Sequence, residues 1–288
     1  MGGVVCDRGR LRFGVSVEGG PLACRELRAV AAAVAEEPQL VLWFDHFDAV
    51  PPAAGINAVH RRHADPIITW EPWTVSLAAI ADGEYDDHLV QWANAFRAYD
   101  DTVYLRFAHE FNGDWYPWSP AHGETPSRFV AAWRHIVDIF REREATSVEW
   151  VWCPNAVSDE DAPLTAWYPG GEYVDVLAAD GYNWGDTRPD AEWIAPADLF
   201  DPVLTALRGL DANKPIFVAE VACAESGGSK ADWIAELVSY LADYPGVDGF
   251  VWFEHDKETD WRMVSSSQAV AAMAAALKKR AAAYEVAP

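Results

Sequence analysis

Short apolar runs recur along this chain, separated by longer stretches in which apolar residues return every three or four positions. The short runs fall at 11–17, 39–45, 66–71, 103–110, 147–153, 174–180, 214–220 and 248–254. Their length and Val/Ile/Phe/Trp content predict buried β-strands. Segments 21–37, 86–99, 126–143, 197–209, 230–243 and 267–284 carry Ala, Leu, Glu and Arg at helical spacing. Strands alternating with helices imply parallel βαβ units, and eight strands in a chain of 288 residues fit an α/β fold of the (β/α)8 TIM-barrel type. No linker or low-complexity tract interrupts the rhythm, so 11–288 is expected to be one domain behind an N-terminal extension at 1–10. A doubly wound open sheet is the rival, but no glycine-rich phosphate loop follows the first strand.

Charge narrows the partners. Twenty-two Lys and Arg against 45 Asp and Glu leave a net charge of −23. Such a field repels nucleic acid and anionic lipid, whereas a neutral substrate is indifferent to it. No apolar run approaches a membrane span and no secretory h-region is visible, so the sequence as written reads as cytoplasmic unless a signal has been removed. Cys6, Cys24, Cys153 and Cys223 show no metal or disulfide spacing and are expected as free thiols, with Cys6–Cys24 the one pairing to consider.

In a barrel of this kind the active site lies at the carboxyl ends of the strands, and the unusual residues cluster there. Strand 2 ends near His46 and strand 3 near Trp70. Strand 4 ends in His109 and Glu110, followed by Asn112 and Trp115. Strand 5 leads to Asn155, strand 6 to Asp180, Tyr182 and Trp184, strand 7 to Glu220 and strand 8 to Trp252. Indole rings stack on the C–H faces of sugars while amides and carboxylates bind hydroxyls, and 15 of the residues are Trp. Two carboxylates at the ends of separate buried strands, Glu110 and Glu220, suit the acid and nucleophile of a glycosidase. The bland alternative is a structural carboxylate bonded to Arg106, which strict alternation places on the Glu110 face of strand 4. Alternation likewise places Ile216, Val218 and Glu220 on one face of strand 7. His60 and His63 lack further ligands in register for zinc and read as a solvated loop, while Asp260 and Arg262 read as an ion pair near the mouth.

The segments Arg106–Trp115, Ile68–Pro72 and Asp260–Arg262 resemble glycoside hydrolase family 26, whose members are chiefly retaining endo-β-1,4-mannanases on a (β/α)8 barrel. The resemblance covers roughly residues 11–265. It implies that Glu110 is the general acid/base and Glu220 the nucleophile. It also implies that Tyr182 hydrogen-bonds the nucleophile, that Trp252 floors the sugar at the cleaved bond, and that Trp115 lines the cleavage point. His109 stands where many related barrel glycosidases have Asn. The family would make this a polysaccharide-cleaving enzyme acting on neutral β-linked glycans and extracellular by habit; the two-carboxylate scheme needs no metal or organic cofactor, and a monomer is expected. Mannan is the favoured substrate, with β-1,3-1,4-glucan and β-1,3-xylan as alternatives. A carbohydrate-binding barrel without catalysis is the alternative from another class.

Overall fold

The computed structural model describes residues 11–157 and 163–285; the expected extension at 1–10, Cys6 and 286–288 lie outside the described residues. Eight parallel strands close into one barrel in the order of the sequence. They are β1 (Arg12–Val17), β2 (Leu40–His46), β3 (Asp65–Glu71), β4 (Val103–Phe107), β5 (Val148–Trp152), β6 (Val176–Asn183), β7 (Ile216–Cys223) and β8 (Val247–Glu254). The barrel closes through full pairing of β1 with β8, from Arg12 opposite Gly249 to Val17 opposite Glu254.

The helices around it are α1 (Cys24–Val34), α2 (Ala53–His60), α3 (Leu77–Ala81), α4 (Asp86–Phe96), α5 (Pro126–Glu142), α6 (Leu164–Trp167), α7 (Pro196–Leu210), α8 (Lys230–Asp243) and α9 (Ser267–Glu285). Helix α5 shows how the sequence writes them. Thr125 caps it by accepting from the Arg128 amide, and Pro126 occupies the first turn. Phe129, Trp133, Ile136 and Phe140 then form one buried face. Three helices went unpredicted because they are short: α2 follows Pro51 and Pro52 and contains Gly55, α3 has five residues and α6 four.

Alternation along the strands sorts side chains into two layers. Leu40, Leu42, Ile67, Tyr104, Val151 and Phe217 fill the barrel interior. Ile68, Trp70, Leu105, Phe107, Trp152 and Trp252 point the other way, into the larger core shared with the helices.

Two irregularities set the functional end of the barrel. Strand β4 stops at Phe107, three residues short of the predicted 110. Ala108 and Glu110 both take left-handed backbone conformations, with φ of 45° and 51°. Single residues held there cost on the order of 1–3 kcal/mol each and persist only when their surroundings fix them. Here the Ala108 amide donates to the Trp70 carbonyl at 3.1 Å and the Glu110 amide to the Cys153 carbonyl at 2.8 Å. The second irregularity is a bulge on β7. Ala179 of β6 pairs with Val218 but Asp180 pairs with Glu220, so Ala219 is an extra residue. Ile216 and Val218 face outward as alternation demands, and the bulge reverses Glu220 into the barrel mouth. The expected common face for all three is therefore corrected.

Candidate active site

Glu220 is buried, with 5 % exposure, and both of its oxygens receive donors. Arg106 Nη2 forms an ion pair with Oε1, and the Tyr182 hydroxyl donates to Oε2 at 2.5 Å. Arg106 is itself fully buried and held on three sides. Its Nε and Nη2 donate to Thr69 Oγ1 at 3.0 and 2.7 Å, and its Nη1 to Asp180 Oδ2 at 2.5 Å. Cys153 donates its thiol to the other Asp180 oxygen at 3.2 Å. Burial works against the guanidinium charge, but Asp180 and Glu220 outweigh it and raise the Arg106 pKa further. The pairing of Glu220 with Arg106, considered from sequence as a structural alternative, is present and is part of the site's geometry.

Glu110 meets a different environment. Asn155 Nδ2 donates to Oε1 at 2.7 Å and the Trp115 indole to Oε2 at 2.8 Å. Asn112 fixes Asn155 by a reciprocal pair of bonds, its Nδ2 to the Asn155 carbonyl at 2.9 Å and the Asn155 amide to its Oδ1 at 2.8 Å. Burial, then the negative charge of Glu220, push the Glu110 pKa from 4.5 up to about 7 against the lowering effect of those donors. One guanidinium faces the carboxyls of Asp180, Glu220 and Glu110, and burial raises Asp180 well above its ordinary value against the pull of Arg106, as it raises Glu110.

His109 lies 3.8 Å from Glu220 Oε1 and shares a 3.1 Å hydrogen bond with the Tyr116 hydroxyl. Burial and then the Arg106 charge hold its pKa well below the ordinary value, so it is a neutral imidazole. Burial and Glu220 raise the Tyr182 pKa, which keeps its hydroxyl a donor.

The mouth is aromatic on both flanks. Trp115 and Trp73 are 44 % and 42 % exposed, and Trp73 packs edge-on against Tyr116 and Trp118 while its indole donates to Glu71 at 3.1 Å. On the other flank Trp184 stands edge-on to Trp261, with Arg188 over its ring at 3.7 Å. A cavity of about 670 Å³ opens between the loops after β1 and β2. Trp43, Phe44, Asp45 and His255 line it, and Phe44 separates it from Arg106.

Of the residues expected at the mouth, Arg106, His109, Glu110, Asn112, Trp115, Asn155, Tyr182, Trp184 and Glu220 gather there, and His46 sits exposed on the rim at the end of β2. Trp70 and Trp252 do not. Both are fully buried on the outer face of the barrel. Trp70 stacks on Trp92 of α4 and donates to the Phe47 carbonyl; Trp252 packs edge-on to Trp233 of α8 and donates to the Trp261 carbonyl. On β8 it is Val251 that points inward, so Trp252 must point out. The residues brought to the cleft side of Tyr182 instead are Phe253, at 5.6 Å between ring centroids, and Trp261, at 5.0 Å. The expected Asp260–Arg262 ion pair is present at 2.7 Å. His60 bonds the Thr102 carbonyl at the amino ends of β3 and β4, away from the mouth. Among the described residues Cys24, Cys153 and Cys223 are free.

His109, Asp180 and Glu220 offer ligand atoms within 4.8 Å of one another. The Arg106 guanidinium already bonds both carboxylates, so a metal ion there would meet a fixed positive charge and a poor donor set.

The description of glycosyl hydrolase family 26 matches residues 83–273, which include both glutamates and most of the residues that hold them. The chain belongs to this family. Endoglucanase H of Acetivibrio thermocellus is 41 % identical over 242 residues, covering 81 % of this chain and 26 % of that protein. Mannan endo-1,4-beta-mannosidase A and B of Caldalkalibacillus mannanilyticus is 29 % identical over 181 residues, covering 59 % of this chain and 32 % of that protein. The chain thus spans a quarter to a third of the length of these two relatives. Among solved structures, the catalytic domain of the family 26 endo-beta-1,4-mannanase of Bacillus sp. JAMB-750 superposes with a TM-score of 0.70 at 17 % identity. It covers 94 % of this chain and 86 % of that one, a likeness of fold.

Proposed function

We propose that this chain is a retaining, endo-acting glycoside hydrolase that cleaves β-1,4-linked mannan-type polysaccharide by double displacement. The observation that carries the proposal is the contrast between two neighbouring carboxyls. Glu110 is lifted to about 7 by burial and by Glu220, which suits a general acid at neutral pH. Glu220 receives Arg106 and Tyr182 on its two oxygens, an arrangement that suits a carboxylate nucleophile.

The chemistry follows. Glu220 attacks the anomeric carbon while Glu110 gives its proton to the departing glycosidic oxygen, leaving a glycosyl ester on Glu220. Esterification removes the charge that helped raise Glu110, so the Glu110 carboxylate becomes the stable form. It then takes a proton from water, whose oxygen attacks the same carbon and frees Glu220. Asn155 and Trp115 hold Glu110 in place through both steps, and Tyr182 and Arg106 hold Glu220.

A second reading, β-1,3-1,4-glucan as substrate, is favoured by the 41 % identical relative being named an endoglucanase, although the match covers only 26 % of that protein. One experiment tests both. Reducing-sugar release is measured on mannan, glucomannan, barley β-glucan and β-1,3-xylan, followed by mass spectrometry after 2-deoxy-2-fluoro-glycoside treatment. Release from mannan and a label on Glu220 are expected. Release from β-glucan alone replaces the substrate but keeps the mechanism. Binding without release or label makes the barrel a carbohydrate-binding protein.

A further inference from the structure

Lys230 is the first residue of α8 and only 1 % exposed. Both circumstances oppose an ammonium group, since the helix N-terminus carries partial positive charge and burial strips water from the ion. Burial accordingly lowers its pKa from 10.5. Four acceptors offset this. Nζ donates to the carbonyls of Asp260, Trp261 and Arg262 at 3.3, 3.2 and 2.6 Å, and to Ser265 Oγ at 3.0 Å. All four lie in the loop that follows β8.

The same loop is gripped elsewhere. Glu254, at the end of β8, accepts from the Met263 and Val264 amides at 2.7 and 3.3 Å. The Trp261 carbonyl also accepts from the Trp252 indole, and the Trp261 amide donates to the His255 carbonyl at 2.9 Å. What the loop presents is the Trp261 ring, packed against Tyr182, whose hydroxyl is bonded to Glu220.

We propose that Lys230 is a positioning residue for the nucleophile: by clamping the carbonyls of residues 260–262 it holds Trp261 against Tyr182, and so keeps the Tyr182 hydroxyl on Glu220. Only the kinetic part of this rests on Glu220 being the nucleophile; the chain of contacts does not. A pin that merely stabilised the fold would change the melting temperature and leave the Tyr182–Glu220 hydrogen bond and the turnover of folded protein unaltered.

The test compares Lys230→Met, which keeps the apolar stem and removes the donors, with Lys230→Arg, which restores charged donors. Tyr182→Phe serves as reference. The first readout is the downfield proton resonance of the Tyr182–Glu220 hydrogen bond in the full chain, identified by its loss in Tyr182→Phe. It is expected to shift upfield or vanish in Lys230→Met and to recover in part in Lys230→Arg. The second is steady-state kinetics on the best polysaccharide, well below each melting temperature. The expected result is a loss of kcat of about tenfold or more with KM changed by less than about threefold, partly rescued in Lys230→Arg. An unchanged resonance, or native kcat in folded Lys230→Met, overturns the proposal. Should Lys230→Met not fold, Glu254→Gln loosens the same loop from its other side, and a native resonance in that variant overturns it equally. If the native protein turns over none of the glycans, the proposed function fails on its own assay, and the resonance still decides the inference.

Discussion

Glu110 carries the sharpest residue-scale consequence. On the proposed mechanism, its pKa of about 7 means that the proton donor is lost as pH rises through neutrality. kcat/KM on an unactivated glycan should therefore fall above about pH 7. The same enzyme should lose much less with a dinitrophenyl glycoside in the glycosylation step, because that leaving group needs little protonation. Stability must move in the same direction. The proton is held more tightly in the folded state than at the ordinary value of 4.5, so the contribution is complete below about 4.5 and is lost as pH climbs through about 7. Glu110→Gln should show a melting-temperature advantage over the native chain that grows across that window, together with loss of activity on unactivated glycan. A constant difference from pH 4 to 8 would place the perturbed group elsewhere. Glu110 and Glu220 were legible in the sequence as carboxylates closing apolar runs. Asp180 was noted at the end of strand 6 without a role and Thr69 was passed over, although both steer Arg106, because nothing local marks that task. Their importance arises only where β3, β4 and β6 converge on one guanidinium.

At the scale of elements, sequence periodicity located all eight strands to within three residues at either end, since buried parallel strands announce themselves as apolar runs. Facing was less legible. Alternation placed Arg106 on the inward face correctly, and failed at Glu220 because a one-residue bulge at Ala219 leaves no compositional trace. The cleft position expected for Trp252 came from resemblance and its place near the end of β8, whereas alternation counted from Val251 sends it outward. Trp252 and Phe253 are adjacent on β8 with opposite facings, and this makes a paired prediction. Trp252→Ala removes a fully buried indole and should cost about 3–5 kcal/mol of stability. For a chain of this size that lowers the melting temperature by on the order of 10 °C. Phe253→Ala, on the Tyr182 side, should lower kcat/KM by about tenfold or more with the smaller thermal shift. Differential scanning calorimetry beside steady-state kinetics separates them, and the reverse ranking would invert the register assigned to β8.

The whole molecule sets a long-range field around this local chemistry. The chain carries twenty-three excess negative charges, while exposed Trp73 and Trp115 flank the mouth and Glu110, Asp180 and Glu220 are buried in it. No helix among the described residues is long and apolar enough to cross a membrane. A neutral polysaccharide approaches such a molecule without electrostatic cost and binds through ring stacking and hydrogen bonds at short range. An anionic polysaccharide must enter against the summed field before any contact forms. Salt separates the two cases, because screening shortens the reach of the field from about 10 Å at 0.1 M to about 3 Å at 1 M ionic strength. On neutral mannan or β-glucan, kcat/KM should stay within about twofold between low salt and about 0.5 M NaCl. On a carboxymethylated form of the same glycan it should start well below the neutral value and rise with salt, mainly through KM, as repulsion at the encounter is relieved. The comparison needs only initial rates at matched chain length. A neutral substrate whose rate rose as steeply as the anionic one would mean that salt acts on the protein itself, by relieving repulsion among its surface carboxylates. In that case the melting temperature would rise along the same salt series, and the charge would be a feature of the fold's stability instead of substrate choice.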